Sequence, residues 1–350
     1  MSFGNIKKYE MSDSFQKFKS IVQQKGFFDK ESGIVIFSWI YNATLMISGG
    51  TLALVFSHPV SLTFFSLISA FGMAGLGTLA HMASHNATSK SKKVNLILNY
   101  LGFGFACGVS PTYWHYTHNR KHHVYTNVLN IDKDINLMPW LALHEGQMIK
   151  KGAKALYYRF QFLIAPFLLC FNGIDIQRAG IFFLFTRLFN KNKFSKFSFL
   201  DIMMVALHYI FWIGFFSIFF PLQIVFIAYL LRSVFTGLLL FCVIAPTHFL
   251  HETMFLEKKQ MKIDPVLRQA SATINYKTGF LGNMLCNGIQ HHIEHHCFPT
   301  ISHAKLPSLA PEIKNFCEMN NIPYRKIGWA KAIWKTFYVF YSPKKVNILD

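Results

Sequence analysis

Charged side chains are scarce in this 350-residue chain and unevenly spread. Asp, Glu, Lys and Arg make up 15% of it, against about a quarter in a soluble domain. Residues 32–80 and 202–231 contain none. Either run exceeds the roughly 20 apolar residues that carry a helix across a bilayer core about 30 Å thick, which excludes an ordinary water-soluble fold. Cysteine is also sparse: Cys107, Cys170, Cys242, Cys286, Cys297 and Cys317 stand singly, with no CxxC pair. That argues against a thiolate zinc or iron–sulfur framework and for reduced thiols. The first 30 residues lack an apolar core segment, so no signal peptide is expected. Acidic residues are the rarest charges, 16 against 35 basic.

What is present is apolar. Hydrophobic residues make up 52%, 38 of them Phe, and the mean hydropathy is +0.28. The runs predict four membrane spans, at about residues 34–56, 60–80, 202–220 and 222–245. The short connections at residues 57–59 and near Pro221 carry no Lys or Arg. Apart from Arg232, every basic residue lies elsewhere: 6 in residues 1–31, 3 in 90–93, 12 in 120–198 and 13 in 258–345. By the positive-inside rule this places both termini and all large loops in the cytoplasm, and it explains the net charge of +19 without nucleic acid. The expected fold is an all-α integral membrane protein, four transmembrane helices in two hairpins under a cytoplasmic helical cap (residues 81–198 and 248–350). Residues 1–350 form a single domain in this reading. Apolar stretches at 94–110 and 160–174 are short for spans, and Pro166 disfavours a straight helix in the second; both read as interfacial or partly inserted.

Three histidine clusters stand out: His81 and His85 in HMASH, His118, His122 and His123 in HNRKHH, and His292, His295 and His296 in HIEHH. An even number of predicted crossings separates every pair, so all three meet on one face. Spacing i, i+4 puts His81/His85, His118/His122 and His292/His296 each on one side of a helix. The adjacent His123 and His295 point elsewhere, so one triplet can serve two metals. HMASH alone is as easily incidental as functional; three clusters on one face are not. Imidazole suits Zn, Cu, Fe and Ni, and a structural zinc takes four ligands. Eight or more histidines point to a dinuclear centre, and two irons account for the number and for a site at a membrane, where activated oxygen can attack an acyl C–H bond. His248, at the exit of the fourth span, is the favoured further ligand over His251, one turn on. His58 and His144 read as ordinary interface or loop residues, His115 and His291 as neighbours that steer or pack the site.

These residues resemble the membrane-bound fatty acid desaturases, histidine-box enzymes of the acyl-lipid and acyl-CoA branch, over about residues 75–325. HMASH is similar to the first box, WHYTHNRKHHVYTN (114–127) to the second, and GIQHHIEHHCFPTISHAKLPSL to the third; residues 161–166 and 317–324 are similar as well. The resemblance implies that His81, His85, His118, His122, His123, His292, His295 and His296 bind two irons, with His248 and, four residues on, Glu252 completing the shell. It implies that Asn127, Asp132 and Asp134 support ligands or the pocket, with Trp114 and Gln290 beside them. It further implies dioxygen as co-substrate, a fatty acyl lipid or acyl thioester as substrate, and an external donor of ferredoxin or cytochrome b5 type, for which a basic face suits an acidic partner. Two departures bear on this. His292 stands where front-end desaturases usually have Gln, and no fused cytochrome b5 domain is present, which disfavours front-end chemistry. Met82 stands where an acidic residue often follows the first histidine.

A hydroxylase or ketolase acting on an acyl chain, carotenoid or alkane would use the same ligands. A metal transporter would place its ligands near the bilayer midplane, whereas these clusters lie outside the spans. Arg232 falls mid-span, with His208 at similar depth. A charge there costs at least about 2.5 kcal/mol, so Arg232 either faces the bundle interior or reaches an interface by a shift of the span boundaries.

Overall fold

The computed structural model describes residues 8–149, 151–190 and 194–346. The extreme ends, whose cytoplasmic placement the charge pattern predicts, lie outside the described residues. After an amphipathic helix α1 (Lys8–Gln24) come α2 (Ser32–Val55) and α3 (Pro59–Ser84), joined by three residues. With α9 (Lys196–Tyr209, continuing to Ile218) and α10 (Leu222–Ile244, continuing to Thr247), they are, among the described residues, the four single helices long and apolar enough to cross a membrane. The boundaries differ from the hydropathy expectation by more than two residues at two helix ends. α9 begins earlier because Ser195 accepts a hydrogen bond from the Ser198 N–H as an N-cap. α3 runs four residues further, so His81 sits in its last turn.

Along α2 the buried residues Val35, Asn42, Met46, Gly49 and Ala53 form a seam of alternating four- and three-residue steps. It meets α3 at close range, since a Cβ on Gly72 would strike the Asn42 carbonyl and the Met46 amide. The Ser69 hydroxyl donates to the Met46 carbonyl across the same seam, 2.7 Å. Small residues and cross-helix hydrogen bonds are what hold helices together where water supplies no drive. The opposite faces carry large exposed apolar side chains, among them Phe37, Ile40, Phe64, Phe199, Ile210 and Phe226, which only a lipid setting would solvate.

The two shorter apolar stretches are bent. α4 (Lys92–Asn99) widens into a π-helical segment ending at Ala106, and α5 (Pro111–Trp114) does the same through His122; their limbs diverge by 111°. α6 (Gly152–Arg159) precedes α7 (Gln161–Cys170) and α8 (Asn172–Leu188), which diverge by 61°. The remainder wraps the end of α3 and α10: α11 (Pro265–Ala272), β1 (Asn275–Lys277), α12 (Phe280–Cys286), α13 (His292–Cys297), α14 (Leu306–Met319), β2 (Lys326–Gly328) and α15 (Trp329–Tyr341). The strands pair in parallel, Asn275 opposite Lys326. One core joins Phe18 and Val22 of α1 to Met82, Ile293, Phe298 and Phe316; a second, with Leu76, Phe103, Trp212 and Val225, lies inside the bundle.

Candidate metal centre

The candidate ligands come from four places in the chain. α3 supplies His81 and ends on His85; the π turn of α5 supplies His118 and His122, with His123 next; α10 leads into His248; α13 supplies His292, His295 and His296. Their imidazoles form two groups. His81, His85, His118, His123 and His295 make one, and His122, His248, His292 and His296 the other. All nine histidines named from the sequence are therefore brought together, while His251 is not: its Nε2 donates to the Ser342 carbonyl, 2.9 Å.

The division is not the one that i, i+4 spacing predicts for HNRKHH. His118 shares a group with His123, five residues on, and His122 turns to the other group. The reason is the π turn, in which the His123 N–H reaches back to the His118 carbonyl at 3.0 Å. In α13, an ordinary α-helix, His292 and His296 do stay together and His295 crosses over.

Within the first group Nε2 of His295 lies 2.8 Å from that of His81 and 3.3 Å from that of His123, and His123 and His118 are 3.1 Å apart. In the second, His248 lies 3.2 Å from His122 and 2.8 Å from His292, and His292 and His296 are 3.1 Å apart. A metal with imidazole bonds of about 2.1 Å has neighbouring donors about 3 Å apart, so both groups fit an ion. His85 Nε2 is buried with no partner in the protein, an orphan that such an ion would satisfy. Burial holds the imidazoles of His123, His248, His295 and His296 well below the ordinary range, in the neutral form that binds metal.

The other ring nitrogens are fixed by acceptors. His118 Nδ1 donates to Asp134 at 2.7 Å and His122 Nδ1 to Asp132 at 2.9 Å. For His122 burial works against the charge, but the carboxylates of Asp132 and Asp134 win and push it up to about 9; toward a metal at Nε2 the same pull makes a stronger ligand. Asp132 is itself held by the backbone amides of Asn127 and Asp134. Asn127, at φ +55°, donates its side-chain amide to the carbonyls of Met254 and Ala272. Trp114 stacks on the His118 ring, 4.7 Å between centroids. Two named residues lie apart: Glu252 pairs with Lys335 of α15, and the Gln290 amide donates to Asn283.

Sequence reasoning missed Gln269, which accepts from His296 Nδ1 at 2.9 Å and donates to the His123 carbonyl at 2.9 Å. A glutamine in α11, far from every histidine in the chain, leaves no signal. Glu294, inside HIEHH, has a role that the motif does not signal. It is fully buried, accepts from Tyr324 (2.6 Å) and Asn275 (2.8 Å), and so pins α13 to the strand pair.

A cavity of about 470 Å³ opens beside this centre, within the range of a small-molecule site. Lys133, Asn136 and Asp175 line its polar part, His81 and His248 its metal side, and Met73, Phe103, Cys107, Gln177 and Ser233 its reach between the helices. The cavity is apolar in part and lies against both histidine groups.

The sequence model for fatty acid desaturases matches residues 57–328. This chain belongs to the fatty acid desaturase family. It is similar to the sn-1 linoleoyl-lipid 6-desaturase of Synechocystis, 25% identical with 76% of each chain covered. It is also similar to Delta(8)-fatty-acid desaturase 2 of Arabidopsis thaliana, 23% identical over 93% of this chain and 73% of the relative. The Delta(5) fatty acid desaturase fat-4 of Caenorhabditis elegans is 26% identical over 74% of this chain and 58% of its own. The desaturase is thus an oxidoreductase of fatty acyl chains and a membrane protein, with histidine groups compatible with bound metal.

Proposed function

We propose that this desaturase holds two irons, one in each histidine group, and uses dioxygen to place a double bond in an acyl chain lying in the adjoining cavity. The observation that carries this reading is that His81 of one group and His248 of the other both face that cavity. When bound, the irons would supply the redox chemistry that removes hydrogen from two adjacent carbons, which no side chain can do. The protein's part is placement. Asp132, Asp134 and Gln269 hold ligand tautomers, Trp114 and Phe103 wall the cavity apolar, and Lys133 and Asn136 at its polar part receive the head group.

Charge placement supports two membrane hairpins with one cytoplasmic cap, residues 81–198 and 248–350, built with the spans as a single domain. An external donor, a ferredoxin or cytochrome b5, would dock on the basic cytoplasmic face. From Ile244 to Ser233 the cavity follows α10 over eleven residue steps, about 16 Å, enough for roughly a dozen acyl carbons beyond the metals. That length suits a bond nearer the carboxyl end, as in relatives named 5-, 6- and 8-desaturases. It departs from the expectation drawn from His292 against front-end chemistry.

Expression in a host of known lipid content, with mass spectrometry of fatty acid methyl esters, tests this. The expected result is a new unsaturated ester that disappears in His295→Ala, with about two irons per chain in the purified wild type. A hydroxy acid instead would move the assignment to a hydroxylase on the same ligands.

A further inference from the structure

Arg232 lies ten residues into α10, about 15 Å from its start, near the middle of a bilayer core, and is 3% exposed. It faces the bundle interior. Its Nε and Nη2 have no hydrogen-bond partner, and among the described residues no carboxylate pairs with it. The guanidinium carbon lies over the Trp212 ring, 3.5 Å from the centroid, and 5.1 Å from that of Tyr229. Such stacking offsets part of the desolvation of the charge but leaves the N–H groups in the ring plane free. Beside them is a small cavity whose wall is apolar on one half and carries Arg232, Trp212, Ser66, Ser69 and Tyr229 on the other.

Two further wall residues carry unsatisfied donors. The Ser66 hydroxyl and the Trp212 indole N–H are buried and unpartnered. The Ser69 hydroxyl donates to the Met46 carbonyl and the Ser233 hydroxyl to the Tyr229 carbonyl, so neither fills the need. The space, about 10 Å³ for the centre of a water-sized sphere, suits one small occupant. A fixed positive charge, two N–H vectors, an indole N–H and a hydroxyl around a one-particle space have the chemistry of an anion site. A water could accept from two of these donors but would leave the charge uncompensated.

We propose that this cavity binds a monatomic anion of the chloride class, held by Arg232, Ser66 and Trp212 as a structural counter-ion between α2, α3, α9 and α10. The site is separate from the histidine groups and independent of the acyl-chain reading.

The test is thermal unfolding of the purified full chain in lipid nanodiscs at constant ionic strength, exchanging gluconate, too large for the cavity, for chloride or bromide. Ligand binding to the folded state alone should raise the midpoint by about 3–6 °C between 5 and 200 mM halide. Arg232→Gln should abolish the halide dependence. Should that variant not fold, Ser66→Val, which removes one donor and fills space, should weaken the dependence at least about fivefold in apparent affinity. A wild-type midpoint indifferent to halide overturns the proposal, as does a dependence that survives unchanged in either variant.

Discussion

Gln269 touches a histidine of each group at once, accepting from the His296 ring and donating to the His123 backbone. Such an acceptor fixes the tautomer that leaves Nε2 free for a metal, and its loss typically lowers metal affinity or activity about 10–100-fold. Gln269→Leu is expected to fall in that range in iron content and desaturation. Gln269→Glu, which keeps the acceptor, should retain more iron by elemental analysis; equal metal in all three would remove this role. A second single-residue effect concerns Lys344. Its ammonium is buried against Phe255 and donates to the carbonyl and hydroxyl of Thr253, whose hydroxyl in turn caps the His248 carbonyl. Burial pushes the amine down to about 7 from the usual 10.5. The unfolded chain then binds the extra proton between those values, so stability rises with pH from about 7 to about 10.5 and the full burial penalty applies below 7. Lys344→Met should flatten the thermal midpoint between pH 7 and 9.5 relative to wild type; an unchanged slope would show that Lys344 titrates normally. The histidines of both groups were legible because metal chemistry restricts the residue types. Gln269 and Lys344 were not, since their roles depend on which carbonyl or ring they meet in space.

At the level of elements, helix period decides which histidine serves which group. Spacing alone assigns His118 and His122 to one face, and in an α-helix they would share it. Widening of α5 into a π turn moves the shared face to His118 and His123. Nothing in HNRKHH itself distinguishes the two geometries; the π turn follows a bend after Ala106 and the Ser110 cap, whose hydroxyl also reaches Asp201 of α9. The span count, in contrast, was readable from charge-free runs. How closely the spans approach was not, since a glycine reads as neutral in hydropathy. Gly72→Val is expected to force α2 and α3 apart at Asn42 and Met46, at about 1–3 kcal/mol or more. Gly214→Ala, with open space around it, is the control. Thermal midpoints of the two in the same detergent should separate by several degrees; similar midpoints would mean the seam yields without strain.

Across the whole molecule, the cavity joins parts that no local pattern connects: α3, the α4–α5 bend, the loop at 133–137, α8, α10 and Ile289. The sequence could point to histidines that gather in one place, but the depth of the cavity beside them emerges only when these segments pack together. Measured along α3, Met73 lies eight residues before His81, about 12 Å into the bundle; along α10, Ser233 lies deeper still. If an acyl tail occupies that space, shortening it from the far end must discriminate by chain length and leave the metals alone. Ser233→Phe adds a ring reaching about 5 Å, or roughly four acyl carbons, at the innermost wall. Turnover of 18-carbon substrates should then fall at least about tenfold while 14-carbon substrates keep most of theirs. Iron content should not change, because Ser233 is three or more helical turns from His248. Equal loss for both lengths at unchanged iron would mean that the tail lies elsewhere, and retained turnover for both would mean that it ends short of Ser233.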